Sequence, residues 1–227
     1  MADPRSKGKP KGRSKGKRKG RRPKSWPKGK YVALDCEMVE VYNEVNQKKS
    51  VLASVTLVDK TGRIIYHAYI KLPCWAVKVN YKTDISGIKQ EDLEPSNGAV
   101  HFFTAKEKVH SIIAGNILVG HALENDLLHL WLKHDNVKDT ALIPGLMKRI
   151  NGHLQSESLK NLALEVGLSI QSGSHSSVED AKASMIVFLR REEIVTKRFL
   201  RYYFYAWSEE IAKKRFLRPY FYTWSRK

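Results

Sequence analysis

The sequence predicts an α/β fold in which a mixed β-sheet is flanked by helices. Three observations support this prediction. With 227 residues and 42% hydrophobic content, the chain can bury one core of domain size and still carry extensions at its ends. Three apolar segments of strand-like composition open the domain, and short strands then alternate with helical segments. Such a pattern is typical of a sheet that combines antiparallel and parallel strands.

The first three strands are predicted from their content of Val, Ile, Leu, Ala and Tyr. They cover residues 31–38, 51–58 and 63–70. Between the second and the third, residues 59–62 read Asp-Lys-Thr-Gly, which is turn chemistry. We therefore expect a three-stranded meander at the start of the domain.

The rest of the domain is predicted to alternate between helices and short strands. Apolar spacing near three to four residues indicates the helices, and short apolar runs indicate buried strands. The predicted elements are a helix at about 100–114, a strand at 117–120, a helix at 124–134, a strand at 137–140, and helices at 158–166 and from 178 to about 193.

The formal charge of +18 is concentrated at the two ends of the chain. Residues 1–30 carry 14 Lys and Arg against one Asp, with almost nothing to bury, so this segment is predicted to be a disordered basic arm. Such an arm is typical of nucleic-acid binding or of a nuclear or nucleolar address, and a solubilising tail is the alternative. The folded domain is predicted to span residues 31–194.

Some classes of protein are excluded by the composition. No apolar run is long enough to span a membrane, and no apolar segment follows the basic arm as a secretory signal requires. With only Cys36 and Cys74, neither a disulfide framework nor a cysteine zinc site is expected. A reducing intracellular compartment, with no membrane partner, fits these observations. No feature of the sequence indicates an oligomeric state.

The C-terminal segment, residues 195–227, carries an aromatic and basic repeat. Residues 197–208 recur as residues 214–225 in a register of 17, and the segment holds 11 of the 22 aromatic residues. Interleaved rings and cations are typical of platforms for single-stranded nucleic acid. The alternative is a helix that packs its rings on the core. Pro219 argues against one continuous helix through the second copy.

Two carboxylates lie in the first predicted strand, within the sequence VALDCEM at residues 32–38. Side chains alternate along a strand, so Asp35 and Glu37 are expected on one face and Cys36 and Met38 on the other. Cys36 is then a small buried hydrophobe. Burial of ionised carboxylates is costly unless a cation compensates it, and hard oxygen ligands suit Mg²⁺ or Mn²⁺.

Further acids follow in an order that strengthens this hypothesis, because a pair of acids alone is common by chance. Asp126 lies just inside a helix that follows a buried strand, and His175 precedes Asp180 in the first turn of the last helix. Ser177 is predicted as the N-cap of that helix, with Asp180 at the third position of a capping box. Asp180 therefore has a capping role as its structural alternative.

These motifs resemble the DEDDh-type 3′-to-5′ exonucleases of the ribonuclease H-like fold, in the branch of RNA exonuclease 4 and the interferon-stimulated exonucleases. The likeness covers roughly residues 31–192, which makes 31–194 the expected exonuclease domain. Glu40 departs from the pattern, since relatives usually have glycine there. The motifs are LDCEMV (34–39), YKTDISGI (81–88), ILVGHALENDL (117–127), KDT (138–140), SLKNLA (158–163) and HSSVEDA (175–181).

The resemblance implies a catalytic centre with two divalent cations, Mg²⁺ or Mn²⁺, that clamp the attacking and leaving oxygens. Asp35 would contact both cations, Glu37 and Asp180 would complete one site, and Asp126 would hold the other. His175 would act as the general base toward the attacking water. The expected product is a nucleoside 5′-monophosphate.

The resemblance also implies a substrate, which is RNA with a single-stranded 3′ end in nuclear or nucleolar processing or decay of ribosomal RNA. Met38, Tyr81 and Lys82 match substrate-contacting positions of the branch, whereas His121 and Asp139 are expected to be structural. Two alternatives stay open. One is a DNA 3′-to-5′ exonuclease, since the metal site does not contact the sugar. The other is a non-catalytic RNA-binding or ribosome-assembly factor, against which the complete acid and histidine set argues.

Overall fold

The computed structural model describes residues 29–171 and 173–221, so most of the predicted basic arm lies outside the described residues. Its main sheet has the strand order β3-β2-β1-β5-β6, with β4 paired to the end of β1, and a separate hairpin is formed by β7 and β8. The strands are β1 (Tyr31–Tyr42), β2 (Lys48–Asp59), β3 (Ile64–Tyr69), β4 (Lys78–Asn80), β5 (Ile117–Gly120), β6 (Val137–Asp139), β7 (Lys148–Ile150) and β8 (His153–Gln155).

The pairing directions confirm the predicted mixed sheet. The strands β1, β2 and β3 form an antiparallel meander, while β5 pairs parallel to both β1 and β6. The helices are α1 (Thr83–Ser86), α2 (Phe102–Ile113), α3 (Leu123–His129), α4 (Leu159–Glu165), α5 (Ser177–Leu189) and α6 (Arg191–Phe221), with 3₁₀ turns at Gln90–Leu93 and Pro95–Asn97.

Several elements differ in length from the prediction; α5, for example, ends at Leu189, not near residue 193. β1 continues to Tyr42 because its last three residues pair with β4, a strand that is too short to be recognised in the sequence. α3 ends at His129, not near residue 134. Trp131 follows with φ of 52°, a left-handed conformation that ends the helix. The Leu132 amide then donates a hydrogen bond to the Leu127 carbonyl oxygen.

Different helices cover the two faces of the sheet, so alternate side chains of β1 pack against different helices. Val32, Leu34 and Cys36 pack into the larger core together with α2 and α3. Ala33, the intervening residue, packs on the opposite face against residues of α5 such as Ala181. Odd-numbered residues of β1 up to Glu37 therefore face α5, and Asp35 and Glu37 belong to that set.

α6 begins on the domain and continues past it. Ile194 is fully buried in the core formed by α4 and α5, so the predicted boundary at 194 falls inside a helix. The helix extends to Phe221, and the expectation that Pro219 would interrupt it was wrong. Pro219 lies in the last turn, where it removes one amide donor two residues before the described helix ends. Within the described part of the chain, no helix has the length and apolarity needed to cross a membrane.

Candidate active site

The centre of β1 places Asp35 and Glu37 on the face that α5 covers. Opposite them on β2 stand Thr56 and Ser54, respectively. The register between the two strands shifts directly after Glu37, which marks the end of this regular ladder. The alternation predicted from the sequence is confirmed, since Cys36 is buried in the core on the other face.

Hydroxyl groups of β2 attach the first turn of α5 to this face. Ser177 Oγ lies 3.1 Å from Ser54 Oγ and 2.8 Å from Thr56 Oγ1, and all three residues are buried. The predicted capping box was wrong, because Ser176 is the N-cap and makes no side-chain cap bond. Ser177 fixes the helix to the sheet instead, and Asp180, one turn later, is thereby directed to the acids of β1. The sequence showed no signal for this docking.

The two carboxylate oxygens of Asp180 have different surroundings. Oδ2 accepts a hydrogen bond of 2.9 Å from Gln171 Nε2 and lies 3.4 Å from His175 Nδ1. Oδ1 is buried, and none of the described residues donates a hydrogen bond to it. A buried carboxylate oxygen without a donor is costly, so it requires a cation or water. Gln171 is a contact that sequence analysis missed.

Three of the predicted site residues come close enough to share one ion. Ligand atoms of Glu37, His175 and Asp180 all lie within 4.8 Å of one another. Carboxylate oxygens and an imidazole nitrogen are donors that divalent metals accept. These atoms, together with the unpartnered Asp180 Oδ1, fit a bound divalent cation.

Asp126 reaches β1 from the side of α3. Its carboxylate is hydrogen-bonded by the Cys36 amide and thiol. Gly120, at the end of β5, permits this close approach, because a Cβ there would lie 2.4 Å from Leu123 Cδ2 and 3.0 Å from the Leu34 carbonyl oxygen. The fourth acid is therefore brought to the others by the β5–α3 connection.

The acids raise one another's pKa values. Burial, and then the charges of Asp126, Asp180 and Glu37, raise the pKa of Asp35 well above its usual range. Burial followed by Asp180 and Asp126 raises the pKa of Glu37 to about 8. Burial, followed by the charge of Asp139, raises the pKa of Asp126 to about 8, although the Cys36 hydrogen bonds act in the opposite direction. Burial also raises the pKa of Asp180. Such mutual repulsion is relieved by protons or by a cation.

These shifts predict that stability without metal falls as pH rises. An acid whose pKa is raised by folding keeps its proton in the folded state at pH values at which the unfolded chain has lost it. The free energy of unfolding therefore decreases as pH rises, until the pH reaches the pKa of the folded state, near 8 for Glu37 and Asp126. In EDTA, the free energy of unfolding should decrease between about pH 6.5 and 8, above the range in which buried His67 and His121 would charge. Denaturant titrations at several pH values measure this.

Added Mg²⁺ or Mn²⁺ should restore the lost stability at pH 8, since a cation replaces the protons. Asp126→Asn should flatten the pH dependence in EDTA. A stability that is independent of both pH and cation would contradict the proposed crowding of ionised acids.

α1 holds the loop that carries His175. The His175 amide donates a hydrogen bond to the Ile85 carbonyl oxygen, which connects motif YKTDISGI with motif HSSVEDA. Gly87 follows with φ of 69°, and a Cβ there would lie 2.8 Å from the His175 carbonyl oxygen. A side chain at residue 87 would therefore push directly on the backbone of His175.

Gly87→Ala is expected to lower both stability and turnover. The left-handed backbone alone costs about 1–2 kcal/mol for a residue with a Cβ, and the contact with His175 should displace that loop. Gly98→Ala is a matched control, because Gly98 has φ of 94° and open space around its Cβ position. Melting temperature and kcat measure the two effects. Equal loss of kcat in both variants would show that Gly87 does not position His175.

His121 and Asp139 have the structural roles expected of them. His121 Nδ1 lies 2.9 Å from Thr140 Oγ1. Asp139 accepts hydrogen bonds from the amides of Ala122, Leu123 and Ala141, at 2.8–2.9 Å. It therefore braces the start of α3, where Ala122 adopts a left-handed conformation with φ of 58°.

The three residues predicted to contact substrate have different surroundings. Met38 packs against the larger core, and Tyr81 packs against a smaller cluster around Val39. Lys82 Nζ lies 2.8 Å from Glu40 Oε1, so its charge is paired with the residue that departs from the family pattern. Their contact with substrate stays a prediction.

The sheet order and the flanking helices define a ribonuclease H-like fold. The fold is shared with solved structures of Pan2. The Neurospora crassa Pan2 catalytic unit matches with a TM-score of 0.65 and 24% identity over 81% of this chain and 30% of its own. A Saccharomyces cerevisiae Pan2 module in complex with A7 RNA matches with a TM-score of 0.65 and 25% identity over 85% and 33%.

The chain belongs to the RNase T exonuclease family, whose pattern matches residues 32–188. It is similar to RNA exonuclease 4 of Gibberella zeae, with 40% identity over 72% of the chain and 50% of the relative. RNA exonuclease 4 of Saccharomyces cerevisiae is 39% identical over 74% of the chain and 57% of the relative. The chain thus spans about half the length of these curated relatives. The predicted family and branch are confirmed.

Proposed function

We propose that the chain is a metal-dependent 3′-to-5′ exoribonuclease that releases nucleoside 5′-monophosphates. The observation that carries the proposal is the convergence of Asp35, Glu37, Asp126 and Asp180 beside His175, although these residues come from separate parts of the chain. The names of the RNA exonuclease 4 relatives support a role on RNA. The complex of Pan2 with A7 RNA, a fold neighbour, supports it further.

The four carboxylates are the residues that would hold the cations, Mg²⁺ or Mn²⁺. Bound divalent cations supply charge stabilisation for the attacking and leaving oxygens of an in-line displacement. Gln171 and His175 contact Asp180 Oδ2, and Oδ1, which is unpartnered among the described residues, would be available to a cation. This division fixes the carboxylate orientation before any ion binds.

His175 is the proposed general base. Its Nδ1 lies 3.4 Å from Asp180 Oδ2, and about two fifths of its side chain is exposed. Asp180 therefore orients the ring, and Nε2 is available to accept the proton of the attacking water. The water oxygen forms a bond to phosphorus, and the bond from phosphorus to the 3′ oxygen breaks. That oxygen leaves with the bonding electrons and takes a proton from solvent water to become the new 3′ hydroxyl. The released nucleotide keeps the phosphate at its 5′ carbon.

RNA is the proposed polymer, and the nucleus, with the nucleolus and ribosomal RNA, is the proposed setting. The support for this location is the sequence of residues 1–30, with its 14 Lys and Arg. A DNA exonuclease is the competing function, since none of the four acids distinguishes ribose from deoxyribose. The two polymers must therefore be compared directly.

The test uses purified full chain with 5′-labelled RNA and DNA of the same sequence, in Mg²⁺, Mn²⁺ or EDTA. We expect a ladder of RNA shortened from its 3′ end in either metal, release of nucleoside 5′-monophosphates, and no cleavage in EDTA. A 3′-phosphate on the RNA should block the ladder, because the substrate needs a free 3′ hydroxyl.

Three outcomes would contradict the proposal. Internal cuts in a circular RNA would indicate an endonuclease, and faster shortening of DNA than of RNA would favour the DNA function. RNA binding without cleavage in any metal would favour the non-catalytic RNA-binding factor.

A further inference from the structure

The described part of α6 carries a set of exposed rings beyond the domain. We define residues 199–208 as the aromatic segment. Tyr202 is 71% exposed, Phe204 69% and Trp207 60%, and Phe199 and Tyr203 are likewise exposed. Exposed apolar surface of this extent marks an interaction site in most soluble proteins. Of the two alternatives for the first copy of the repeat, packing of the rings on the core is therefore not the one that the structure shows.

Contacts that fix the helix to the domain are made by residues at its beginning, before this segment. Ile194 is buried in the core. Arg198 is paired with Glu165 at 2.6 Å and donates to the carbonyl oxygens of Gly145 and Met147. Lys197 Nζ donates a hydrogen bond of 3.2 Å to the Glu165 carbonyl oxygen at the end of α4. These two cations are engaged in attaching α6, so the rings that follow project from a rigid base.

The rings surround the helix and do not form one stripe. Residues advance by about 100° per position in an α-helix, so positions 199, 202, 204 and 207 point in different directions. A helix that packs in a single groove presents an apolar stripe with a polar opposite side. Neighbouring rings support one another, with centroids 4.4 Å apart for Phe199 and Tyr203 and 6.2 Å apart for Phe204 and Trp207. The segment therefore presents ring faces to a ligand that can wind around it.

The charge of the C-terminal region selects an anionic ligand. Residues 195–227 carry 9 Lys and Arg against 2 Glu. Lys197 and Arg198 are engaged with the domain, whereas residues 199–208 keep Arg201 and contain no acid. A second copy of this chain would bring a like charge of +7 against +7. Aromatic rings with nearby cations are the features by which proteins hold single-stranded nucleic acid, with bases on rings and phosphates on cations.

We propose that the aromatic segment of α6 binds single-stranded RNA by base stacking, at a site separate from the catalytic centre. The proposal rests on the proposed function only in taking RNA as the polymer. Asp180 lies in the first turn of α5 and α6 begins after the end of α5, so the part of α5 from Asp180 to Leu189 separates the two by about 14 Å at 1.5 Å per residue. A strand bound on α6 is therefore held upstream of the 3′ end that is cleaved.

The test measures binding of the full chain to a 3′-phosphate-blocked single-stranded RNA in EDTA, where no cleavage is required. Trp207→Ala should weaken binding about 5- to 150-fold, which corresponds to the loss of one stack. Trp207→Phe should restore most of the affinity because it keeps a ring. Trp75→Ala is the matched control, since Trp75 is 39% exposed and lies elsewhere on the domain; its affinity should not change.

Salt dependence separates stacking from charge. Trp207→Ala should leave the slope of affinity against salt nearly unchanged, whereas Arg201→Gln should reduce it. The second-copy residue Trp224 lies outside the described residues, and the test does not require it.

Three results would overturn the proposal. One is unchanged RNA affinity in a folded Trp207→Ala variant. Another is a melting temperature that falls enough to explain the lost binding, which would mean that the ring supports the fold. The third is a Trp207→Ala variant that keeps its affinity for RNA but loses binding to phosphatidylserine vesicles or loses self-association in sedimentation. Binding is measured here without cleavage, so the result does not depend on exonuclease activity. An inactive chain that binds through Trp207 supports this proposal, and an active exonuclease that does not bind through Trp207 contradicts it.

Discussion

Asp180→Asn is expected to lower RNA cleavage by about 10³-fold or more while leaving RNA binding largely intact. The substitution keeps the shape of the side chain but removes a charge, and several kcal/mol of transition-state stabilisation by the cations depend on such charges. Asn also has one acceptor oxygen in place of two, so it cannot both accept from His175, 3.4 Å away, and offer a second oxygen to a cation. Asp35→Asn should have a similar effect. Single-turnover cleavage of 5′-labelled RNA in Mg²⁺ measures both.

Asp135→Asn serves as the matched control for this pair. Asp135 is an exposed residue in the loop between α3 and β6, so the same chemical change should leave cleavage at the wild-type rate. Wild-type rates in Asp180→Asn or Asp35→Asn would refute the assignment of these acids to the catalytic centre. Loss of activity accompanied by loss of folding in thermal melts would point to a structural role.

His175→Ala is expected to reduce turnover by about 10² to 10⁴, the usual range for loss of a general acid or base. The pH dependence of the rate should also change, because the limb that reports the base is removed. His110→Ala is the control, since His110 is exposed on α2, away from β1. Rates across pH at saturating RNA measure the effect.

The metal dependence helps to interpret this variant. Ligand atoms of His175, Glu37 and Asp180 lie within 4.8 Å of one another, so His175 could also contact a cation. A base that is not a ligand leaves the metal concentration for half-maximal activity unchanged when it is removed. A large increase in that concentration, with an unaltered pH profile, would remove His175 from the proton transfer.

The local geometry of the first two acids could be predicted because it depends on one strand alone. Side chains alternate along β1, and so the sequence placed Asp35 and Glu37 together and Cys36 in the core, as the structure shows. The strand at 117–120 was predicted with its observed bounds, because a short apolar run before a glycine marks it. The family also followed from these local motifs.

Other features depended on contacts between distant residues and escaped prediction. Ser177 was expected to cap its own helix, yet its hydroxyl bonds Ser54 and Thr56, more than 120 positions earlier. Gln171, which donates to Asp180, had no recognisable motif around it. β4 is only three residues long, and it forms by pairing with the last three residues of β1. Local propensity is a weak guide in each case, since tertiary contacts override it.

The sequence by itself determined the order of the elements, the family, and the residue types that the site contains, because each of these is written in short local patterns. Only the tertiary structure decided that Asp126 and Asp180 meet Asp35, since β5 pairs parallel to β1 and α5 packs across β1 and β2. It also decided that the rings at 199–208 are exposed, because α6 runs beyond the residues that hold it. The physical reason is that burial and charge repulsion arise between residues far apart in the chain, and they exist only once the sheet and its helices have assembled.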